Sequence, residues 1–276
     1  MRITAQTGRG EGEGNSDEVA DYFYQCCQDY REQLGLDEAG FKAYLSEKTV
    51  LEYGPGDILG VALLFHAYGA KTIHCVDRFP LNKISEKNIL VYQALINRLA
   101  GDEKQRAMNV FNVAGSPESG FNRNVIEYSV TNSGLSGKTN AYDLIISRAV
   151  LEHVNDLDAT FLDIKNALKP GGKSIHKVDL KSHGLDRYQP FDFLTWSNAS
   201  YRLMYSHKGF PNRWRVNKYV QAANNARLSI THLAPNETLS LEKIDTIKPY
   251  LAEDFRDVPK EELSWLSFWM VLEHAD

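Results

Sequence analysis

Only three cysteines occur among 276 residues, and Cys26, Cys27 and Cys75 form no CxxC pair, which argues against a disulfide framework and against a cysteine-held zinc site. A reducing cytoplasm is the expected setting. Long hydrophobic runs are scarce too: the longest, at 61–67, falls far short of the ~20 apolar residues a membrane span requires. The opening stretch MRITAQTGRGEGEGNSDE holds neither the apolar core nor the small-residue cleavage site of a secretory leader. Nor is there a surplus of positive charge. Thirty-one Lys and Arg against 36 Asp and Glu give a net charge of −5, which offers no global attraction for the phosphates of a nucleic acid. Neither nucleic acid nor membrane is therefore expected as a partner.

What is present is a hydrophobic content of 43%, enough for a sizeable core in one elaborated α/β domain. Residues 7–15 alternate glycine with charge, and 1–15 read as a flexible tail. From Ser16, a candidate N-cap, Val19, Tyr22, Phe23, Cys26, Cys27 and Tyr30 recur at helical spacing, and a second short helix is predicted at 37–45, so 16–47 form a helical cap. Strands and helices then alternate. Strands are predicted at 49–53, 72–77, 125–131, 142–147 and 173–179, with helices at 57–68, 83–100 and 156–168 and a turn at 169–172. A helix at 218–226, a strand at 228–233 and an apolar run at 263–272 follow. Strands separated by helices imply a doubly wound, mostly parallel sheet that binds its ligand at the carboxyl ends of the strands.

The first strand ends in LEYGPGDILG. Two glycines let main-chain amides approach a ligand without Cβ obstruction, the following helix N-terminus favours negative charge, and Pro55 stiffens the bend. A dinucleotide fingerprint would put its third glycine at position 59, where the chain has Leu59, and a phosphate loop would need a lysine followed by Ser or Thr. Both alternatives lose ground. Asp77 closes the second strand 21 residues beyond Gly56, where a carboxylate can accept both hydroxyls of an unphosphorylated ribose; the bland alternative is a solvated loop aspartate. Glu52, amid apolar neighbours, needs a partner or a cationic ligand.

LEYGPGD, Asp77 at the end of the next strand, YDLIISRAVLEHV and LKPGG together resemble the class I S-adenosylmethionine-dependent methyltransferases, most closely the small-molecule type with an LEHV segment after the fourth strand. The resemblance covers 48–180. It implies a seven-stranded Rossmann-like methyltransferase sheet and S-adenosyl-L-methionine as cofactor. Glu52, Tyr53, Gly54, Pro55 and Gly56 would surround the amino-acid part of that cofactor. Asp77 would hold the ribose and Arg78 would lie beside the adenine. Thr131 and Asn132 occupy the loop where an adenine-contacting acid is usual, and Ser147 and Arg148 would sit near the sulfonium. Ile58 stands where the family often has a third glycine.

Methyl transfer needs alignment of the nucleophile and, for a hydroxyl, removal of a proton. Candidate catalytic residues are His153 in LEHVND and His176, Asp179 and His183 in SIHKVDLKSH. For the last three, a base-orienting His–Asp pair, a divalent metal site and a polar cluster closing the loop remain open; His153 is a base or a capping histidine. An insertion at 183–219 mixes aromatics with Arg187, Arg202, Arg213 and Arg215, which suits a planar or carboxylate-bearing acceptor or else a lid packed on its own rings. The fourth strand lacks the [DNS]PP[YFW] motif of DNA amino-methylating enzymes. The expected activity is methyl transfer to an oxygen, in preference to a nitrogen, of a small-molecule or saccharide-like metabolite. The alternatives are a nicotinamide-dependent oxidoreductase and a non-catalytic cofactor-binding protein.

Overall fold

The computed structural model of the chain describes residues 15–182, 190–204 and 211–275. The predicted tail at 1–15 lies, apart from Asn15, outside the described residues. Seven strands form one mixed sheet in the order β3-β2-β1-β4-β5-β7-β6. They are β1 (Thr49–Tyr53), β2 (Thr72–Asp77), β3 (Ile126–Val130), β4 (Tyr142–Arg148), β5 (Leu168–Asp179), β6 (Leu228–Thr238) and β7 (Trp265–His274). β1 pairs in parallel with β2 and β4, and β2 with β3, whereas β6 and β7 are antiparallel. The strand order reverses between β1 and β4, the crevice where open α/β sheets take their ligands.

The chain divides into two compact units, one formed by 8–147 and 166–175 and the other mainly by 148–165 and 176–276. The amino-terminal unit carries α1 (Ser16–Gln33), α2 (Glu38–Leu45), α3 (Gly60–Ala67), α4 (Glu86–Asn97) and α5 (Gly101–Met108). Asn15, not Ser16, caps α1: its side chain accepts the N–H groups of Asp17 and Glu18, and Glu18 answers back to the Asn15 N–H in a capping box. The apolar stripe Val19, Phe23, Cys26, Cys27 and Tyr30 is buried, and α1 packs on α3 and α4. Beneath it, Tyr30 and Phe41 meet the Phe65 ring edge to face, at 5.9 and 5.5 Å between centroids.

α3 starts later than the expected 57–68. Residues 57–59 instead bridge the glycine bend and the helix, with the Leu59 N–H donated to the Tyr92 hydroxyl at 3.0 Å. Gly60 has its own function in packing: a Cβ there would lie 2.4 Å from ring atoms of Phe23. It is the seat of an α1 aromatic, which explains a glycine one place late for a dinucleotide fingerprint.

The carboxy-terminal unit holds α6 (Leu157–Ala167, to residue 165), α7 (Asn198–Met204), α8 (Val216–Asn225), α9 (Leu241–Ile247), α10 (Glu253–Arg256) and α11 (Lys260–Ser264). Phe191, Leu194, Ile244, Ile247, Leu251 and Leu263 form one of its apolar clusters. The turn expected at 169–172 is absorbed into β5, which runs unbroken from Leu168 with Gly171 at φ 73° inside it. No helix among the described residues is long and apolar enough to cross a membrane.

The close approach at Gly60 makes a prediction. Gly60→Ala should destabilise the protein by about 1–3 kcal/mol, the usual penalty for overpacking a filled core, read as a lower urea midpoint. Phe23→Leu in the same chain should recover part of the loss. An unchanged midpoint in the single variant would contradict the packing account.

Candidate active site

The carboxyl ends of β3, β2, β1 and β4 bring one group of the predicted residues together within the amino-terminal unit. Tyr53 is in register with Val76 on one side and Ser147 on the other, and the Gly54 N–H extends the ladder by donating to the Val76 carbonyl at 2.8 Å. The chain then turns through Pro55, with Gly54 at φ 58° and Gly56 at φ 78°, left-handed values that a side chain would strain. A Cβ placed on Gly56 would meet no atom within 4 Å, so the bend borders open space. That is the cradle a ligand approaching bare main chain requires.

Asp77 stands one strand away, 7% exposed. Its carboxylate accepts the Phe79 N–H at 3.1 Å, and the main-chain N–H groups of Arg78 and Gly56 also favour its charged form, which links the end of β2 to the bend after β1. Burial nonetheless pushes its pKa above the ordinary carboxylate value, against those three donors. A carboxylate has about four lone-pair sites, leaving capacity for a hydroxyl. On the next strand, the Thr131 N–H donates to the Asp77 carbonyl at 3.0 Å, and Thr131 accepts the Gly134 N–H at 3.0 Å to close a turn containing Asn132. Arg78 lies against this turn and over the Phe79 ring, its guanidinium carbon 4.8 Å from the centroid.

Glu52 points into the unit, where the Cys75 thiol donates to its Oε2 at 3.7 Å. Burial, reinforced by the nearby Asp77 charge, pushes its pKa up to about 8 against the thiol hydrogen bond. A carboxyl kept protonated for want of a cation fits the recognition of a ligand ammonium. The glycine bend, Asp77 and the buried Glu52 are thus a donor and acceptor set that fits an amino-acid-bearing nucleoside.

The profile of a family described as a methyltransferase domain matches residues 20–232, well over half of the chain. The chain belongs to this family. It is an S-adenosylmethionine-dependent methyltransferase, and that family match displaces the nicotinamide alternative. Among solved structures, a Galdieria sulphuraria protein assigned as a sarcosine dimethylglycine methyltransferase is 16% identical, over 92% of this chain and 86% of that one, at a TM-score of 0.49. An S-adenosylmethionine-dependent methyltransferase of Mesorhizobium loti is 16% identical, over 84% and 94%, at 0.44. The geranyl diphosphate C-methyltransferase of Streptomyces coelicolor A3(2) is 14% identical, over 85% and 75%, at 0.46. At these identities and scores none carries the assignment, which rests on the family match. No curated protein sequence matches the chain.

In the methyltransferase's carboxy-terminal unit, Arg148 ends β4 with its guanidinium carbon 5.7 Å from the Trp269 ring centroid, and Ala149 follows at φ 54° with its N–H on the Lys177 carbonyl. His153 closes a 3-10 turn over Leu151–His153. His176 is fully buried beside the Phe161 ring, and burial lowers its pKa to about 3. Such a ring stays neutral and suits positioning more than proton carriage. Asp179 ends β5 and accepts the Lys181 N–H at 2.9 Å. His183 and Arg187 lie outside the described residues. Among those described, no group of three His, Cys, Asp or Glu side chains can hold a metal ion.

Residues passed over in the sequence matter here. Glu152 is sealed from solvent at 1% exposure with neither carboxylate oxygen completing a hydrogen bond among the described residues, and burial beside Asp179 raises its pKa well above the carboxylate range. A charged residue inside the apolar LEHV run was the available signal. Two of the insertion's arginines are consumed by packing. Arg215 donates to the Leu180 and Trp265 carbonyls at 2.8 and 2.7 Å and lies over Phe191. Arg213 sits between the rings of Tyr201 and Phe255, at 4.5 and 5.0 Å, and donates to the Trp196 carbonyl. Here the packed-lid alternative describes the arrangement.

Glu52 also yields a pH prediction. Folded, it holds its proton to about pH 8; unfolded, only to its ordinary value of 4.5. The folded form therefore binds the extra proton between those values, and the unliganded protein loses stability as pH rises from 4.5 to 8. Glu52→Gln, which cannot ionise, should flatten that part of the stability profile in denaturant titrations across the window. An unchanged slope would contradict the burial of a protonated Glu52.

Proposed function

We propose that this methyltransferase transfers a methyl group to an oxygen, in preference to a nitrogen, of a small-molecule or saccharide-like metabolite in a reducing cytoplasm. The observation that carries the acceptor class is a cavity of about 550 Å³ within the carboxy-terminal unit. Its lining combines the rings of Tyr201, Trp214 and Phe255 with the amides of Asn155 and Asn198 and the Arg202 side chain. That size suits a ligand of a few rings, and the Trp214 face beside the Asn155 amide suits the alternating C–H and hydroxyl surface of a sugar, with Tyr201 and Phe255 flanking Arg213 in the wall. Three free, buried cysteines fit the compartment.

In the amino-terminal unit, the bend Gly54-Pro55-Gly56 with Glu52 and Tyr53 receives the amino-acid end of the cofactor, and Asp77 accepts its ribose hydroxyls. Arg78, Thr131 and Asn132 flank the adenine, and Ser147 lines the approach to the sulfonium; Arg148, expected beside it, belongs to the carboxy-terminal unit and takes no assigned role. When bound, S-adenosylmethionine supplies an electrophilic methyl group. The protein's part is to hold the acceptor in line and accept its proton. His153 is the proposed base, on the turn whose next residues, Val154 and Asn155, line the cavity. Asp179 supports the charge that develops there, and His176 fixes the local packing from inside β5. His183, in the expected set, lies beyond the described residues and takes no assigned role.

The test is a panel of hydroxylated metabolites and saccharides incubated with methyl-labelled cofactor. Label should enter an ether that survives mild base. With the acceptor so found, His153→Ala should lower kcat by about a hundredfold, the lower end of general-base contributions, while leaving the affinity for S-adenosylhomocysteine unchanged. Trp214→Ala should raise the acceptor KM. Full turnover by the His153 variant would remove the base assignment, and label confined to nitrogen would overturn the oxygen preference.

A further inference from the structure

The cofactor bend cannot be held by its own residues alone, because Gly54 and Gly56 provide no side chains and Pro55 provides no N–H. The inward face of α4 supplies what is missing. Asn88, 5% exposed, donates its Nδ2 to the Asp57 carbonyl at 3.1 Å and to the Lys83 carbonyl at 2.8 Å. One turn later Tyr92, 2% exposed, accepts the Leu59 N–H at 3.0 Å. Asn82, in the loop after β2, adds a second amide to the Asp57 carbonyl at 3.4 Å. That loop is itself held from β3: the Tyr128 hydroxyl donates to the Phe79 carbonyl at 2.9 Å and accepts the Leu81 N–H at 3.2 Å.

We propose that Asn88 and Tyr92 are positioning residues that fix the main chain leaving the glycine bend against the loop leaving Asp77, and thereby set the affinity for the cofactor. This rests on the proposal that the bend and Asp77 hold the nucleoside. Neither residue need touch the ligand. A buried polar side chain on the inner face of a helix is costly unless it is answered, and both groups here are answered by main-chain atoms of 57–59 and 83. The spacing of four along α4 puts the two groups on one face. Two loops from adjacent parallel strands, which share no ladder bonds beyond Gly54 and Val76 on that side, are thereby joined at fixed separation. Preorganising a binding loop raises affinity by removing the cost of ordering it on binding.

The clamp differs from general stabilisation in what its loss changes. Tyr92→Phe removes one oxygen, keeps the ring that packs against Phe111 and Phe121, and leaves the Leu59 N–H without its acceptor. Titration calorimetry with S-adenosylhomocysteine should show its Kd rising about tenfold, the scale of one unsatisfied buried donor. Amide exchange at Leu59 should speed up in the unliganded protein. Asn88→Asp, nearly isosteric but without the two N–H donors, should weaken binding at least as much. Ile126→Val, a core truncation in β3 that lowers stability without touching either loop, should leave Kd within twofold of the wild type. Should Asn88→Asp fail to fold, Tyr92→Phe and Ile126→Val decide the matter. A Tyr92→Phe Kd within twofold of wild type, or equal losses in Tyr92→Phe and Ile126→Val, would overturn the clamp while wild-type binding leaves the cofactor site standing. Absence of wild-type binding would overturn both.

Discussion

The pull of the Gly56 main-chain N–H on the buried carboxylate of Asp77 is the interaction on which the amino-terminal unit's chemistry depends. It spans the carboxyl ends of two parallel strands at the point where their ladder runs out, just after Gly54 donates to Val76. Without it, a bend made of two glycines and a proline would have few ways to keep one shape, since glycine loses more conformational freedom on ordering than any other residue. With it, the bend and the acid that faces it are one constellation. The β1–β2 register, with Tyr53 opposite Val76, joins two short strands whose residues beyond the first are all buried.

Burial gives this arrangement an electrostatic character that no single residue implies. Glu52, Cys75 and Asp77 all lie in low-dielectric surroundings, and each is pushed toward its neutral form. Three acidic groups in close succession would repel one another if all were charged. A ligand carrying an ammonium would relieve that constraint, in keeping with the seat proposed for the amino-acid end of the cofactor beside Glu52. In the carboxy-terminal unit Glu152 repeats the pattern beside Asp179, in the same turn as His153.

Much of the fold was legible because its strands are short, apolar and bounded by turn residues. β1 and β2 begin and end where Thr49, Tyr53, Thr72 and Asp77 predict. Less legible was α5, whose sequence GDEKQRAM buries only Ala107 and so carries almost no apolar period. The cap of α1 falls one residue before the expected Ser16 because Asn15 and Ser16 are both good caps; the Glu18 partner three residues on decides for Asn15. The glycine bend and Asp77 could be found from spacing alone. Asn88 and Tyr92 could not, since their worth lies in main-chain groups 31 and 33 residues away. Arg213 and Arg215 looked like acceptor forks in the sequence, but their guanidinium groups close carbonyls and rings within the carboxy-terminal unit. An arginine's sequence neighbours do not reveal whether its donors face inward.

Hydrogen exchange read residue by residue, with and without S-adenosylhomocysteine, decides whether the glycine bend and the loop after Asp77 hold the nucleoside. Added protection should concentrate at the amides of 54–59 and 77–82, with the remainder of the amino-terminal unit little changed. Protection that falls elsewhere while those amides exchange at their unliganded rates would contradict that assignment.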